Sequence, residues 1–465
     1  SINIEKGALI LYNDSNHTTH KGGLHVVTIT QKKMNFKSNL KLNFNGGNLT
    51  SDSGLLLYKE FDNKIGFSQE IKENLSLNDS VNHRNHENDD VILQRIYQNA
   101  AGYHADSDAN DLRHDYTFQT VLNKKTLASQ PTISRVNNKV NKENMKQLQQ
   151  ANFNLLDKIH TFSPPEEIIF DLDSTNCQTY GHQYGTAYNY HYGANGFHPL
   201  LMFDGVTGDL IKAKLRAGNV YTSRKAVKFI GPVFKKYSKK FRKIPLYLRA
   251  DSGFAKPGIY RMSEEHNIFY TIRLKANAKL YELANPFEEK LAQKMQGKLH
   301  EKQVVYGQFN YKAGSWKKER KVIVKIEKPK GQLTYNHTFI VTNIKSWSAR
   351  KIIMFYCQRG TMENFIKEGK NGFAFGKMSS SEYWANANKL QQMVLAYNLN
   401  NWMRRLCFPM QNRSDRIRTI RTKIIKIAGR IVKTGRYIYY KLASSCPNKK
   451  LFFKVLDNIQ KLEFA

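Results

Sequence analysis

Five short apolar runs, two of which end in an aspartate, constrain the fold of this chain most strongly. Each has the length and the apolar content of a β-strand. In chain order the runs are 168–173, 199–205, 210–215, 244–251 and 268–274. The Gly208-Asp209 pair between the second and third runs predicts a tight turn, so we expect these two runs to form a hairpin.

The later runs are separated by segments with helical patterns. Residues 223–240, which are basic, and residues 258–266 both predict helices. Three strands in a meander, followed by alternating helix and strand, are the order of an RNase H-like α/β sheet. We therefore expect an α/β fold whose RNase H-like core spans about residues 166–405.

A second β-rich pattern follows between residues 300 and 345. Three stretches there alternate like antiparallel strands: 304–311, 321–327 and 337–344. Pro329 and Gly331 predict a turn between the second and third stretches. We expect a β-rich insertion at about residues 280–350 that is separate from the core sheet.

Helical patterns flank the core on both sides. Residues 34–165 carry apolar stripes at helical spacing, which predict a helical region for DNA binding or dimerisation. Residues 406–465 predict a basic helical C-terminal region, because five isoleucines run at helical spacing: Ile417, Ile420, Ile424, Ile427 and Ile431. Residues 1–33 are polar and aperiodic, and we expect a poorly ordered or upstream-translated arm there.

The charge of the chain narrows the class of partner. Lys and Arg number 73 against 38 Asp and Glu, a formal net charge of +35. Such an excess favours a polyanion, most simply DNA or RNA, although a merely basic protein stays open. Neither a membrane-spanning apolar run nor a signal stretch is evident, so we expect a cytoplasmic protein with no membrane partner. The four scattered cysteines fit neither a zinc module nor a disulfide framework.

Two of the predicted strands end in a candidate functional acid. Asp173 precedes Ser174-Thr175, and Asp251 precedes Ser252-Gly253-Phe254. Carboxylates at the carboxyl ends of strands in an open α/β sheet lie where ligands bind, although either could instead be a turn residue or a helix N-cap. Asp171 shares a strand face with Asp173. We choose Asp173 because it stands last on the strand, and Asp171 stays open as the alternative.

The third candidate acid lies on a predicted helix near residues 362–367. Glu363 and Lys370 share one helical face, and Tyr356 and Arg359 precede them. A carboxylate and basic groups on one face can hold a metal and an adjacent phosphate together. The alternative interpretation is a surface ion-pair stripe.

Three carboxylates suit a particular chemistry. Breaking a phosphodiester bond requires an activated nucleophile and a stabilised leaving oxygen, and two Mg²⁺ ions roughly 3.5–4 Å apart supply both. Mg²⁺ prefers hard oxygen ligands, which explains Asp and Glu rather than His or Cys. We therefore predict two Mg²⁺ ions, for which Mn²⁺ could substitute, held by Asp173, Asp251 and Glu363.

Several motifs together resemble those of a known family. Tyr356, Arg359, Glu363 and Lys370 match the Y-x2-R-x3-E-x6-K signature of bacterial insertion-sequence transposases of the DDE type. Five further stretches resemble the family named for insertion sequence 1380: 49–55, 130–135, 171–175, 249–254 and 443–447. The resemblance runs from about Leu40 to the C-terminus. It implies an RNase H-like core, Mg²⁺, a β-rich insertion before Glu363, cut-and-paste activity and a homodimer on double-stranded DNA.

Basic residues outside the acid set are candidates for DNA contacts. Ser129 and Pro131 predict the start of a helix whose Arg135 and Lys139 could read DNA, although a plain bundle helix is as good an interpretation. On the predicted C-terminal helix, four cations form a face for phosphates: Arg416, Arg418, Arg421 and Lys423. Arg359 and Lys370 are expected to hold phosphates at the site, with Tyr356 orienting Glu363 or a phosphate.

Aromatic and histidine residues give weaker hypotheses. Similar hairpin-forming transposases stack a flipped base on an aromatic residue, which makes Trp316 and Trp347 candidates, although a core position is the simpler interpretation. A zinc site at His182, His191 and His198, or a metal tract at His17, His20 and His25, is disfavoured.

We therefore expect a DNA transposase that cleaves transposon ends and transfers strands to a target. One alternative is an RNase H-like nuclease without strand transfer. Another is a domesticated DNA-binding protein without chemistry, which the complete set of Asp173, Asp251 and Glu363 argues against.

Overall fold

A mixed eight-stranded sheet lies within the part of the chain that the structure describes, residues 31–79, 84–295, 301–332 and 334–464. The computed structural model gives these strands: β1 Lys32–Met34, β2 Lys37–Leu42, β3 Leu49–Thr50, β4 Ile168–Ser174, β5 Cys177–Gln178, β6 Ala187–Asn189, β7 Ala194–Phe197, β8 Leu200–Asp204, β9 Leu210–Lys214, β10 Leu246–Ala250, β11 Phe269–Leu274, β12 Gln303–Tyr311, β13 Arg320–Lys328, β14 Asn336–Thr342, β15 Gly429–Lys433 and β16 Ile438–Leu442.

Helices surround the sheet and form the region before it. In chain order they are α1 Leu55–Ile65, α2 Phe67–Asn74, α3 Asn88–Ala101, α4 Asp108–Asp111, α5 Tyr116–Leu122, α6 Gln130–Lys139, α7 Lys142–Phe162, α8 Ala226–Lys240, α9 Pro257–Glu265, α10 Ala278–Lys294, α11 Ala349–Cys357, α12 Gly360–Phe373, α13 Tyr383–Cys407, α14 Ile417–Ile420 and α15 Lys449–Gln460. A short 3-10 turn occupies Ser252–Phe254.

The five apolar runs form neighbouring strands in the order β9-β8-β4-β10-β11. β8 is antiparallel to both β4 and β9, whereas β10 is parallel to both β4 and β11. The sheet therefore begins as a three-strand meander and continues as parallel strands joined by helices. This confirms the predicted mixed α/β architecture and places the ends of β4 and β10 side by side.

The β-rich segment at 303–342 differs from the expectation. β14 pairs antiparallel with β11, from Thr271 opposite Thr342 to Leu274 opposite Phe339, and β13 and β12 follow outward. The expected separate insertion is therefore wrong, because these strands extend the core sheet itself. The unpaired edge of a strand such as β11 offers backbone donors and acceptors that another strand can satisfy. The alternation of apolar and polar residues predicts a strand, but it does not predict which strand will pair with it.

Helices cover both faces and one edge of the sheet. On one face Phe234 of α8 packs against Phe170 of β4, with ring centroids 5.2 Å apart. On the other face the buried side chains of Ile352 and Ile353 in α11 join Ile169. At the edge, Asn398 of α13 accepts a hydrogen bond from the backbone of Leu210 at 2.8 Å. Side chains of α13 thus satisfy backbone groups that the edge strand β9 leaves open.

The helical region at 55–162 packs around the long helix α13. Ser129 occupies the N-cap position of α6 and Pro131 lies in its first turn, as the sequence predicts, although the Ser129 side chain makes no capping hydrogen bond. A capping box between Asn141 and Asn144 starts α7. Tyr58 of α1 donates a hydrogen bond to Asn400 of α13 at 2.7 Å. The N-terminal helices and the eight-stranded sheet consequently share one hydrophobic core.

The C-terminal region is not the predicted helix. α14 ends after four residues, a π-helical turn follows at Arg421–Ile425, and β15 and β16 form an antiparallel hairpin. All five isoleucines of the helical pattern are buried, but on these different elements. The backbone of Ser53 and Gly54 bonds to Ile427 and Ile425, and a Cβ at Gly54 would lie 1.8 Å from the Ile424 carbonyl oxygen. Tertiary contact with this tight glycine turn replaces helical hydrogen bonds.

The start of the chain is described only in part. The arm expected at 1–33 lies outside the described residues as far as residue 30, as do His17, His20 and His25. Lys32–Met34 pairs with β2, so the last residues of that arm belong to a small hairpin. Among the helices that are described, none is both long enough and apolar enough to span a membrane.

Candidate active site

Asp173 and Asp251 meet at the carboxyl ends of neighbouring parallel strands. Asp173 is the last residue but one of β4, and Asp251 follows β10 directly. Arg359, which immediately precedes α12, donates through Nη2 to Oδ2 of Asp173 at 3.0 Å. The same nitrogen lies 3.9 Å from Oδ2 of Asp251. One guanidinium therefore lies between two acids from neighbouring strands and offsets part of their negative charge.

Each acid is also held by its own backbone. Oδ1 of Asp173 accepts a hydrogen bond from the Ser174 amide at 2.8 Å. Oδ1 of Asp251 accepts one from the Gly253 amide at 2.9 Å, which caps the 3-10 turn. In both acids one oxygen is fixed locally while the other turns toward Arg359. The alternative interpretation of Asp251 as an N-cap is thus also realised, and it leaves Oδ2 available.

The electrostatics of the pair favour additional positive charge. Burial raises the pKa of the Asp173 carboxyl to about 6, against the opposing effect of Arg359. The negative charges of Asp251 and Glu363 contribute to this rise. An acid in this state gains from binding a cation or a proton, because either offsets both the desolvation and the like charges.

Glu363 lies in the first turn of α12, and its side chain is exposed. Its negative charge contributes to the raised pKa of Asp173. Across the described part of the chain, however, no three His, Cys, Asp or Glu side chains are grouped so as to hold a metal ion. The structure therefore brings two of the three predicted acids onto one cation, and the closure of Glu363 onto them stays a prediction.

Asp171 has a different partner. Its two carboxylate oxygens accept hydrogen bonds from Nε and Nη2 of Arg249 at 2.7 and 2.6 Å. The two residues stand opposite each other in the register of β4 and β10, and both are almost fully buried. This bidentate pair lies inside the sheet, whereas Asp173 is turned toward Asp251. The geometry supports Asp173 over Asp171 as the metal-binding candidate.

The remaining signature residues, Tyr356 and Lys370, act electrostatically on groups near the pair. Tyr356 is partly buried on α11. Burial raises the pKa of its phenol, and the charges of Arg359 and Arg273 oppose this rise only in part. Burial raises the pKa of the Cys177 thiol, four residues beyond Asp173, and the positive charge of Lys370 opposes this rise. Sequence reasoning missed Arg273, an exposed cation at the carboxyl end of β11. Its position on the strand beside β10 was the available signal.

The predicted DNA-contacting cations differ in their surroundings. Arg135 and Lys139 are exposed on α6, where Lys139 pairs with Asp79. Arg416 and Arg418 are also exposed. Lys423 pairs with Asp415 at 3.0 Å.

Arg421 departs from the prediction. Its guanidinium donates to the carbonyl oxygens of Asn99, Ala100 and Gly372 at 2.6–2.9 Å. Burial lowers its pKa to about 10. These bonds join the C-terminal segment to α3 and α12, so Arg421 acts as an internal contact rather than as part of a phosphate-binding face.

The tryptophans and histidines are used mainly in packing. Trp316 is 5% exposed and packs edge-on against Tyr260, which leaves no open ring face for a stacked base. Trp347 is partly exposed, with Lys351 Nζ 4.3 Å from its ring centroid. His198 is buried, and its Nδ1 is 2.9 Å from the Val220 carbonyl oxygen. The four cysteines are all free.

No curated protein matches the chain. A solved structure, the "Cryo-EM structure of piggyBac transposase synaptic complex with hairpin DNA (SNHP)", is similar at 15% identity and a TM-score of 0.40, over 81% of this chain and 80% of that one. The family described as Transposase DDE domain group 1 matches residues 32–464. Since that match spans nearly all of the sequence, the chain belongs to the DDE transposases of group 1.

Proposed function

We propose that this protein is a metal-dependent DNA transposase that cleaves transposon ends and transfers them into target DNA. The observation that carries the proposal is the convergence of Asp173 and Asp251 on Arg359 at the carboxyl ends of adjacent strands. The proposal includes an RNase H-like core, supported by the strand order β9-β8-β4-β10-β11. It also includes kinship with the family of insertion sequence 1380, supported by the motifs at 171–175 and 249–254.

The donor set fits a hard divalent cation. Asp173, Asp251 and Glu363 offer only oxygen ligands, which Mg²⁺ prefers. The raised pKa of Asp173 reflects burial first and the charges of Asp251 and Glu363 second, and a bound cation would offset both. We propose that these three residues hold two Mg²⁺ ions, with Mn²⁺ able to substitute. When bound, the metal would make an attacking oxygen more nucleophilic and stabilise the leaving oxygen.

Arg359 is placed to bind the phosphate beside these acids. Its Nε is buried and has no hydrogen-bond partner among the described residues, while its Nη2 is bonded to Asp173. A guanidinium can donate two parallel bonds to phosphate oxygens. We propose that Arg359 donates to the reacting phosphate, with Lys370 and Arg273 holding flanking phosphates and Tyr356 orienting Glu363 or a phosphate.

DNA is the proposed partner on the grounds of charge and family. The net charge of +35 favours a polyanion, and exposed cations such as Arg135, Arg416 and Arg418 lie outside the acid site. Cut-and-paste transposition joins two ends at once, so we propose that the active form is a homodimer on DNA.

A two-part experiment tests the proposal on the full chain. Thermal unfolding is measured with EDTA and across a Mg²⁺ series, where site binding should raise the Tm of the unaltered protein but not of Asp173→Asn. Labelled duplexes carrying the sequences that flank the gene are then incubated with Mg²⁺ and a plasmid target. Cleaved ends joined to the plasmid support a transposase.

The outcomes separate the alternatives. Cleavage without joined product would identify a nuclease. DNA binding with neither a Mg²⁺ response nor cleavage would identify a DNA-binding protein without chemistry.

A further inference from the structure

A small sheet of exposed tyrosines stands beside the two aspartates. We call residues 177–197, which contain β5, β6 and β7, the aromatic flap. Five of its tyrosines are exposed: Tyr180, Tyr184, Tyr188, Tyr190 and Tyr192. Tyr190 is 89% exposed. Scattered exposed aromatics are ordinary on a protein surface, but a contiguous group of them marks an interaction site.

The flap is neutral in a strongly basic chain. Residues 174–203 contain no Lys, Arg, Asp or Glu, although 24% of the whole chain is charged. Phosphates are bound mainly by cations, so this surface is poorly suited to a DNA backbone. Nucleobases are neutral and aromatic, and they stack on tyrosine rings whatever their sequence. The chemistry of the flap therefore favours bases over phosphates.

Backbone contacts tie the flap to the catalytic end of the sheet. Asn189 donates a hydrogen bond to the Gly218 carbonyl oxygen at 2.7 Å, and a Cβ at Gly218 would lie 2.1 Å from the Ala187 carbonyl oxygen. Four residues beyond Gly218, Thr222 lies 3.4 Å, Oγ to Oγ1, from Ser174, the neighbour of Asp173. The flap consequently has a fixed position relative to the acids.

Two tyrosines lie on the side of the flap nearest the acids. Burial, together with the charges of Asp173 and Asp251, raises the pKa of the Tyr192 phenol, which places that ring within the field of both acids. Tyr221 is 59% exposed, and Lys256 Nζ lies 5.5 Å from its ring centroid. Lys256 follows the Asp251 turn, so one cation for a phosphate stands where the neutral surface meets the acids.

Resting on the proposed function, we propose that the aromatic flap binds unpaired bases of the DNA strand whose phosphate lies at Asp173 and Asp251. Tyr188 and Tyr190 meet edge to face with centroids 5.2 Å apart, which leaves ring faces for stacking. Bases that stack here must be unpaired, because paired bases are already stacked within the duplex. The flap therefore selects a locally opened DNA end.

The test compares single-stranded and duplex DNA without requiring cleavage. Fluorescence anisotropy gives the Kd of the full chain, in EDTA, for a labelled oligonucleotide of about 20 nucleotides and for its blunt duplex, over a salt series. Replacing both Tyr188 and Tyr190 with Leu should weaken single-strand binding by about five- to a hundredfold and change duplex binding less than about twofold. The salt slope should stay the same, because no phosphate contact is lost. The matched Tyr188→Phe, Tyr190→Phe protein should bind as the unaltered protein does.

Several other outcomes would overturn the proposal. Equal losses for single strand and duplex would point to a general fault, and weak binding by the Phe protein would point to the hydroxyls. A change from dimer to monomer in the Leu protein would identify the flap as a protein interface. If the Leu protein does not fold, the fluorescent base 2-aminopurine is placed in the single strand and its emission is measured with the unaltered protein. Quenching of this fluorescence on binding supports stacking, and the absence of quenching refutes it. A chain that binds single strands through the flap but never cleaves refutes only the proposed function.

Discussion

Arg359 donates a hydrogen bond to Asp173 at 3.0 Å, and the same nitrogen lies within 3.9 Å of Asp251. The arginine lies in the turn before α12, and the two acids lie at the ends of β4 and β10. Three segments that are distant in the chain therefore meet at this guanidinium. A guanidinium between two carboxylates offsets part of their negative charge. The role that we propose for Arg359 toward phosphate would use its buried Nε, for which the described residues offer no acceptor.

Substituting Asp251→Asn tests the chemistry. The change removes a negative charge with little change in volume, so Mg²⁺-dependent end cleavage should fall by about 10²–10³-fold or more. Duplex binding should persist, because it depends on Lys and Arg contacts with phosphates. Cleavage is followed on a labelled end and binding by gel shift. Undiminished cleavage would exclude Asp251 from the metal site.

Asp171→Asn separates the two acids of β4. It leaves Arg249 buried without its anionic partner, which should lower the free energy of unfolding by about 3–5 kcal/mol. The Tm should nevertheless still rise with Mg²⁺, whereas Asp173→Asn should abolish that rise. Chemical denaturation and thermal scans measure the two effects. If Asp171→Asn removes the Mg²⁺ response while Asp173→Asn keeps it, the assignment must be exchanged.

The raised pKa of Asp173 predicts how stability depends on pH. The folded protein binds this proton up to about pH 6, and the unfolded chain only up to its ordinary value near 3.8. Ionising Asp173 therefore costs stability as the pH rises through that window. In EDTA, Asp173→Asn should be more stable than the unaltered protein above pH 6, by up to about 3 kcal/mol. Unfolding curves from pH 4 to 8 should show the difference growing with pH; a difference that shrinks would contradict the sign.

Replacing Arg421 should lower stability, whereas replacing Arg416 and Arg418 should lower DNA affinity. Arg421→Ala leaves three carbonyl groups without their charged donor and should cost at least about 2 kcal/mol of stability. Arg416→Gln with Arg418→Gln removes exposed charges, so stability should change by less than about 0.5 kcal/mol. If both arginines contact phosphates, duplex affinity should fall and the salt slope should decrease by about 2. An unchanged slope would remove these residues from the DNA interface.

The sequence alone determined the elements that depend on local pattern. Short apolar runs specified β4, β8, β9, β10 and β11, because a strand between turns needs only neighbouring residues to be recognised. Asp173 and Asp251 could be selected because each lies at the carboxyl end of a strand, and the carboxyl ends of parallel strands meet at one edge of the sheet. The signature spacing selected Arg359, although its contact with both acids could not be read from spacing.

Tertiary structure decided which distant segments meet. β14 joined the open edge of β11, and the isoleucines at 417–431 are buried on separate short elements, with Gly54 packed against Ile424 and Gly372 against Ile417. Arg421 became internal because it donates to the backbone carbonyl oxygens of Asn99 and Gly372. The aromatic flap acquired its position through Asn189 and Gly218. Pairing and burial depend on residues far apart in the chain, whereas periodicity reports only on neighbours; local pattern therefore fixed the elements and long-range packing fixed their partners.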